Sequence, residues 1–190
     1  ASSPSASSRF LFVGRLCEKK GVDTLLQALS RVNSFQPAML DVVGDGPLLA
    51  TLQNQAKSLG IASKVNFLGS QTSEWIIENA NDYCALVTPF RIASNGDRDT
   101  GPLVLKEAMA LGLPVITSAL MGCDEIVAHD SGWKVPPDDV MALAVAMREC
   151  LGLTSFRRDQ LVSAARKRVE ALFSADVCVA TLSVAIEQGI

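Results

Sequence analysis

Two separated segments carry side chains of the types that handle a phosphorylated sugar compound. The first is G-R-L-C-E-K-K-G, with Arg15 and Lys20. The second runs from Asn95 to Leu111, N-G-D-R-D-T-G-P-L-V-L-K-E-A-M-A-L, with Asp99 and Glu107 eight positions apart. Arg neutralises a diphosphate through a bidentate fork and Lys through a point charge. Carboxylates accept hydrogen bonds from sugar hydroxyls. Between the two acids a charge-dense loop stops at Gly101-Pro102 and an Ala/Leu/Met-rich helix begins. Thr100 or Gly101 suits the cap of that helix, and Pro102 suits its first turn. The amides from Gly101 to Leu103 are then expected to face a ligand, where the helix dipole favours an anion. Pro102 itself has no N–H to offer. Glu107 should stand roughly 7 to 9 Å up the axis, a distance that suits a ribose beside the helix. The plain alternative is a capped helix with a surface Glu.

These segments need elements to position them. Short apolar runs predict strands at 10–13, 39–43, 65–68, 84–87 and 115–117, with a weaker one at 132–135. Helical spacing predicts helices at 23–30, 47–59, 73–80, 124–129, 138–151 and 155–188, besides the one after Pro102. Strand and helix alternate, and several strands are continuous apolar runs. Both signs favour an α/β fold, a doubly wound parallel sheet of about six strands with helices on both faces. Ligands of such sheets bind beyond the carboxyl ends of the strands. The loops to watch are therefore 14–21, 44–47, 69–73, 89–101 and 118–123.

In V-G-D-G-P-L, Gly44 and Gly46 fit either close approach to a ligand or a tight strand-to-helix turn. A dinucleotide fingerprint would need glycine where Leu49 stands, so NAD and FAD are excluded. After N-F-L-G, the backbone of Leu68, Gly69 and Ser70 suits either a flat base or an ordinary strand end. His129 lies in A-H-D-S-G, which reads as a helix end and turn. No hydrolase triad and no metal-ligand spacing is present.

The chain has 190 residues, 48% of them hydrophobic, enough for one packed core. A net charge of -3 implies no basic face, so nucleic acid is not an expected partner. No apolar run is long enough to span a membrane. Residues 1–8 are Ser-rich and read as a tail or linker, with 9–190 forming a single domain. The five cysteines are odd in number and widely spaced, which suits free thiols in a reducing compartment.

Taken in order, G-R-x-x-x-K-K-G, V-G-D-G-P, F-L-G, D-x-x-x-x-x-x-x-E-A-M-A, G-L-P-V-I and D-E-I-V resemble the retaining, nucleotide-sugar-dependent glycosyltransferases of the GT-B fold, the group 1 or family 4 type. The resemblance covers about residues 10–139 and extends to the C-terminal, Rossmann-like donor-binding domain alone. It implies that Gly14, Arg15 and Lys20 meet the donor diphosphate together with the helix start at Gly101, Pro102 and Leu103. It implies that Glu107 binds ribose hydroxyls and Asp99 hydroxyls of the transferred sugar. Many members carry Glu at the position of Asp99, and Asp97 is an alternative for the same contact. Leu68, Gly69 and Ser70 would meet the base. The resemblance further implies no metal or other cofactor and no side-chain nucleophile. The partners it implies are a nucleotide-diphosphate sugar and an N-terminal acceptor domain that this chain lacks. The isolated domain is then expected to bind donor weakly and to transfer little sugar. A cytoplasmic location is expected, with peripheral attachment at the inner membrane face open for the full-length protein. The alternatives are half of a sugar-nucleotide epimerase and a non-catalytic nucleotide-sugar-binding module.

Overall fold

All six strands expected from the apolar runs form, and all are parallel members of one sheet. They are β1 (Arg9–Val13), β2 (Met39–Val43), β3 (Val65–Gly69), β4 (Ala85–Thr88), β5 (Val115–Ser118) and β6 (Trp133–Val135). The helices are α1 (Val22–Asn33), α2 (Leu49–Ser58), α3 (Ser73–Asn79), α4 (Leu103–Ala110), α5 (Cys123–Ile126), α6 (Val140–Leu151) and α7 (Ser155–Phe173). The structure, a computed structural model, describes residues 8–174 and residue 177. The expected tail up to residue 7, Cys178 and the extension of the last helix towards 188 lie outside the described residues.

Successive strand residues point to opposite faces. In β1, Phe10 and Phe12 enter one apolar core and Leu11 the other. The first core takes α1 through Leu25, Leu26 and Leu29, and α6 through Leu143 and Met147. The second takes α4 through Leu105 and Met109, α5 through Cys123 and Ile126, and α7 through Ala165. Covering both faces is what makes the strands read as continuous apolar runs. The strand order is β3-β2-β1-β4-β5-β6. The winding therefore reverses between β1 and β4, where doubly wound sheets form their ligand crevice.

One strand position is polar. Asp41 of β2 is 4% exposed yet holds three partners. Arg9 donates to both of its oxygens at 3.0 and 2.8 Å, Asn66 donates at 2.7 Å, and the Tyr83 hydroxyl donates at 2.9 Å. Burial, with Asp41 beside it, pushes the Tyr83 hydroxyl well above its ordinary pKa.

Several boundaries differ from expectation, and in each of the following a group distant in sequence takes part. Ser8, assigned to the tail, already accepts the Met39 amide at 2.9 Å and extends the β1–β2 ladder. Helix α2 starts at Leu49 instead of Pro47, because Leu48 donates to the Leu16 carbonyl and turns the chain first. Helix α5 is a single turn and does not reach His129. Arg168 of α7 takes the Ile126 and Glu125 carbonyls at 2.9 and 2.7 Å, so the acceptors at the end of that turn are already engaged.

The carboxyl-end loops are joined backbone to backbone. Gly14 donates to Val43 at 3.0 Å, Leu16 to Asp45 at 2.9 Å, and Gly44 to Gly69 at 2.8 Å. Arg91 donates to Lys19 at 2.9 Å across the switch point. Such approach leaves no room for side chains. A Cβ on Gly44 would overlap the Gly14 carbonyl, and one on Gly21 would overlap the Pro89 carbonyl. Both glycines also have positive φ, 132° and 65°. Gly101, by contrast, borders open space.

Two outcomes follow in urea denaturation. Asp41→Ala strands the Tyr83 hydroxyl and the Asn66 amide in the core, and should lose about 2 kcal/mol or more. Gly44→Ala should lose about 1 to 3 kcal/mol through overlap and strain, whereas Gly101→Ala should stay within about 0.5 kcal/mol of the parent.

Candidate functional site

The first and fourth loops flank the switch point, and their charges meet there. The first loop leaves β1 at Gly14 and is anchored by Leu16, whose side chain is fully buried. It then forms a 3-10 turn, Glu18–Lys20, which ends at Gly21. The fourth loop leaves β4 at Pro89, buries Phe90 completely, and reaches α4 at Pro102.

Lys20 is the centre of the arrangement. Its Nζ lies 3.1 Å from Asp99 Oδ1 and 4.9 Å from the centroid of the Phe90 ring. The Lys20 and Asp99 side chains are only 15% and 17% exposed. Lys20 lies across the loop beside Gly14, where a Cβ would sit 3.6 Å from Lys20 Cε in ordinary contact. The other oxygen, Asp99 Oδ2, is buried and has no hydrogen-bond partner, as has Ser118 Oγ at the end of β5. An unmatched buried carboxylate oxygen is costly and marks a place where a donor group is wanted.

Asp97 and Asp99 differ in burial and in partner. Asp97 pairs with Lys19 at 3.0 Å and is 54% exposed. Asp99 is the inner acid. The Asp97 contact holds Lys19 above its ordinary pKa. Glu18 accepts from the Ser94 amide and hydroxyl, both at 2.9 Å, which holds its carboxyl below its ordinary pKa.

The remaining sequence-predicted residues are distributed around this pair. Arg15 is exposed and makes no side-chain hydrogen bond or ion pair among the described residues. Glu107 is exposed in the second turn of α4. Helix α4 begins one residue later than expected. Pro102 is its cap residue, with ψ 113°, and neither Thr100 nor Gly101 caps it. The Gly101 amide instead lies against Gly122, where a Cβ would come within 3.1 Å of it. The first-turn amides without intrahelical acceptors are those of Leu103 and Val104, since the Leu105 amide donates to the Pro102 carbonyl at 3.3 Å. At Gly44 and Gly46 the space a Cβ would take is filled by the backbones of Gly14 and Leu16. Gly69 borders open space, as does Gly101, and accepts the Gly44 amide. Leu68 is half-buried against the second core, and Ser70 is exposed. Thus Gly14, Lys20, Asp99, Gly44 and Gly69 form one connected rim. Arg15 and Ser70 follow Gly14 and Gly69 in the chain and are exposed, and Leu103 and Glu107 are exposed on α4.

Phe90, Ser94, Ser118 and Gly122 were not among the expected site residues. For Phe90 the signal was available, since an aromatic directly after a buried strand and proline has to turn inward or lie on the loop. Cys17, Cys84, Cys123 and Cys150 are free thiols, as expected. Burial pushes the Cys123 thiol up. His129 is exposed in the turn after α5.

Comparison with known proteins places this geometry. The chain is 32% identical over 185 residues to the amylovoran biosynthesis glycosyltransferase AmsK of Erwinia amylovora, covering 95% of this chain and 44% of AmsK. The sucrose-phosphate synthase structure from Thermosynechococcus elongatus superposes with a TM-score of 0.81 at 27% identity, over 98% of this chain and 46% of that one. The Anabaena HepE structure, in complex with UDP, superposes with a TM-score of 0.80 at 22% identity, over 96% of this chain and 49% of HepE. The chain thus spans less than half the length of these proteins. Residues 2–168 match the family described as Glycosyl transferases group 1. With the Rossmann-like sheet, the ordered motifs and this match together, the chain belongs to the glycosyl transferases group 1 family.

Proposed function

We propose that this chain is the donor-binding half of a retaining glycosyltransferase, taking a nucleotide-diphosphate sugar for transfer to a saccharide or lipid-linked acceptor. The observation that carries this reading is the Lys20–Asp99 pair at the switch point, a cation and a carboxylate 3.1 Å apart and both partly exposed. In this reading the diphosphate meets Arg15, Lys20 and the first-turn amides of Leu103 and Val104, beside Gly14 and the Gly101-Pro102 turn. Glu107 accepts from ribose hydroxyls, and the Asp99 carboxylate, whose side chain is 17% exposed, accepts from a hydroxyl of the transferred sugar. The backbone at Leu68, Gly69 and Ser70, close to Gly44, receives the base.

The chemistry asked of these groups is electrostatic. Breaking the bond between sugar and phosphate leaves negative charge on the diphosphate. Fixed cations and amides aimed at that charge stabilise the transition state more than the ground state. Arg15 and Lys20 supply positive charge without a metal. No side-chain nucleophile is assigned, and retention is ascribed to a leaving phosphate that helps accept the acceptor's proton. The acceptor belongs to an N-terminal domain outside this chain, which agrees with relatives about twice as long. Free thiols at Cys17, Cys84, Cys123 and Cys150 support a reducing, cytoplasmic location. Among the described residues no helix is long and apolar enough to cross a membrane. A lipid-linked acceptor would place the full-length protein at the inner membrane face.

Calorimetric titration with UDP, GDP and ADP, and with their sugars, tests the reading. One base should be preferred. Arg15→Ala and Glu107→Ala should each weaken that binding by about tenfold to a hundredfold, the range for losing a charged hydrogen bond. The chain alone should show no sugar transfer. Binding indifferent to both substitutions, or transfer by this chain alone, would overturn the assignment.

A further inference from the structure

The fourth loop, from Pro89 to Pro102, contains neither helix nor strand, yet it carries Asp99. Long irregular segments lose conformational entropy when ordered, so something must hold this one. Part of the order is internal. Ala93 donates to Asp97 at 2.8 Å, Gly96 donates to Ala93 at 2.8 Å, and the Asp97 amide donates to Asn95 Oδ1 at 2.9 Å. These bonds shape a small knot but do not attach it to the domain.

Attachment comes from three consecutive residues of the first loop. Side chains in a 3-10 turn diverge by about 120° per residue, so neighbours reach different points. Glu18 takes Ser94 twice, at 2.9 Å each, and Lys19 takes Asp97 at 3.0 Å. Lys20 takes Asp99 at 3.1 Å. The contacts advance along the fourth loop in the same order as along the first. Only the last is partly buried, and only the last involves the residues assigned to the donor. The Arg91 amide fixes the near end on the Lys19 carbonyl. The Arg91 side chain pairs with Asp23 and, at 3.1 Å, with Asp138.

We infer that Glu18, Lys19, Ser94 and Asp97 form an outer clasp of positioning residues: they set the register of the fourth loop so that Asp99 meets Lys20, and they do not touch the donor. The inference rests on the donor-site reading above. Glu18 and Lys19 already spend their charged groups on the loop. Each exposed contact is individually weak and screened by salt. The clasp works because several contacts act in register. With it broken, the loop must be ordered when the donor binds, and affinity falls although every donor contact is still available.

Charge reversal separates positioning from ligand contact. Lys19→Glu and Asp97→Lys should each speed amide hydrogen exchange across 91–100, most clearly at Ser94, whose amide donates to Glu18. Exchange in β1 and β4 should stay as in the parent, showing that the sheet is intact. Each single change should weaken binding of the preferred nucleotide sugar by about two- to fivefold, the scale of an exposed pair. The combined Lys19→Glu, Asp97→Lys protein should recover both slow exchange and affinity. A residue that touched the donor would not be rescued by reversing its partner. The clasp is overturned if the single changes leave exchange across 91–100 unaltered, or if the combination fails to restore it. Its positioning role is overturned if exchange changes and donor affinity does not. A parent chain that binds no nucleotide sugar would defeat the donor-site reading instead, and the exchange arm would still judge the clasp.

Discussion

Everything at the carboxyl edge of this sheet depends on how closely its loops approach one another. Backbone meets backbone from Gly69 to Gly44, from Gly44 to Gly14, from Lys19 to Arg91, and from Gly122 to Thr100. These contacts continue the strand ladder beyond the strands themselves. They turn separate connections into one rim, and loops held this way lie near a single conformation. The side chains they carry inherit that fixity. This is why Lys20 and Asp99, 79 residues apart in sequence, meet at hydrogen-bond distance. Gly21 and Gly44 make it possible, since any side chain at either would strike a carbonyl of the neighbouring loop.

Much of this was legible in the sequence. Continuous apolar runs such as F-L-F-V and A-L-V-T required strands covered on both faces, and alternation with helices required parallel pairing. Strand order was not legible, because nothing in the runs states which neighbours pair. Boundaries failed where a distant group took over a local one. Arg168 of α7 binds the carbonyls at the end of α5, and the Leu16 carbonyl takes the Leu48 amide before α2 can begin. Neither partner is a sequence neighbour, so no local pattern announces it.

The site divides in the same way. Arg15, Lys20, Asp99 and Glu107 could be singled out because their types stand out against an apolar background at strand ends and a helix start. The contacts that organise them could not. Asp97 and Asp99 are equal candidates as letters, and burial alone makes one an outer surface acid and the other an inner one. Gly44 reads as suited to a ligand or to a turn; its packing against the Gly14 backbone, which no sequence pattern announces, is one reason glycine is needed there. Asp41 shows the converse. It sits in a strand with no functional pattern, yet it binds Arg9, Asn66 and Tyr83 and ties three strands below the site.

The order Asp99, Lys20, then open rim also answers an electrostatic difficulty in the proposed function. A diphosphate and a carboxylate in one crevice repel each other, and more strongly as water is excluded. Removing the acid would forfeit the acceptor for sugar hydroxyls. Placing a lysine between them keeps both. An ammonium group has three donors. One is committed to Asp99 Oδ1 and the Phe90 ring supports the cation from another side, which leaves capacity for a phosphate. Lys20 can then stay on Asp99 when the donor arrives, and the exposed part of the Asp99 carboxylate is left to meet the sugar. A lone lysine would have to be desolvated by the ligand. A lysine already held by Asp99 and Phe90 has met most of that cost in folding, so the donor's charge is received by a group that is already in place.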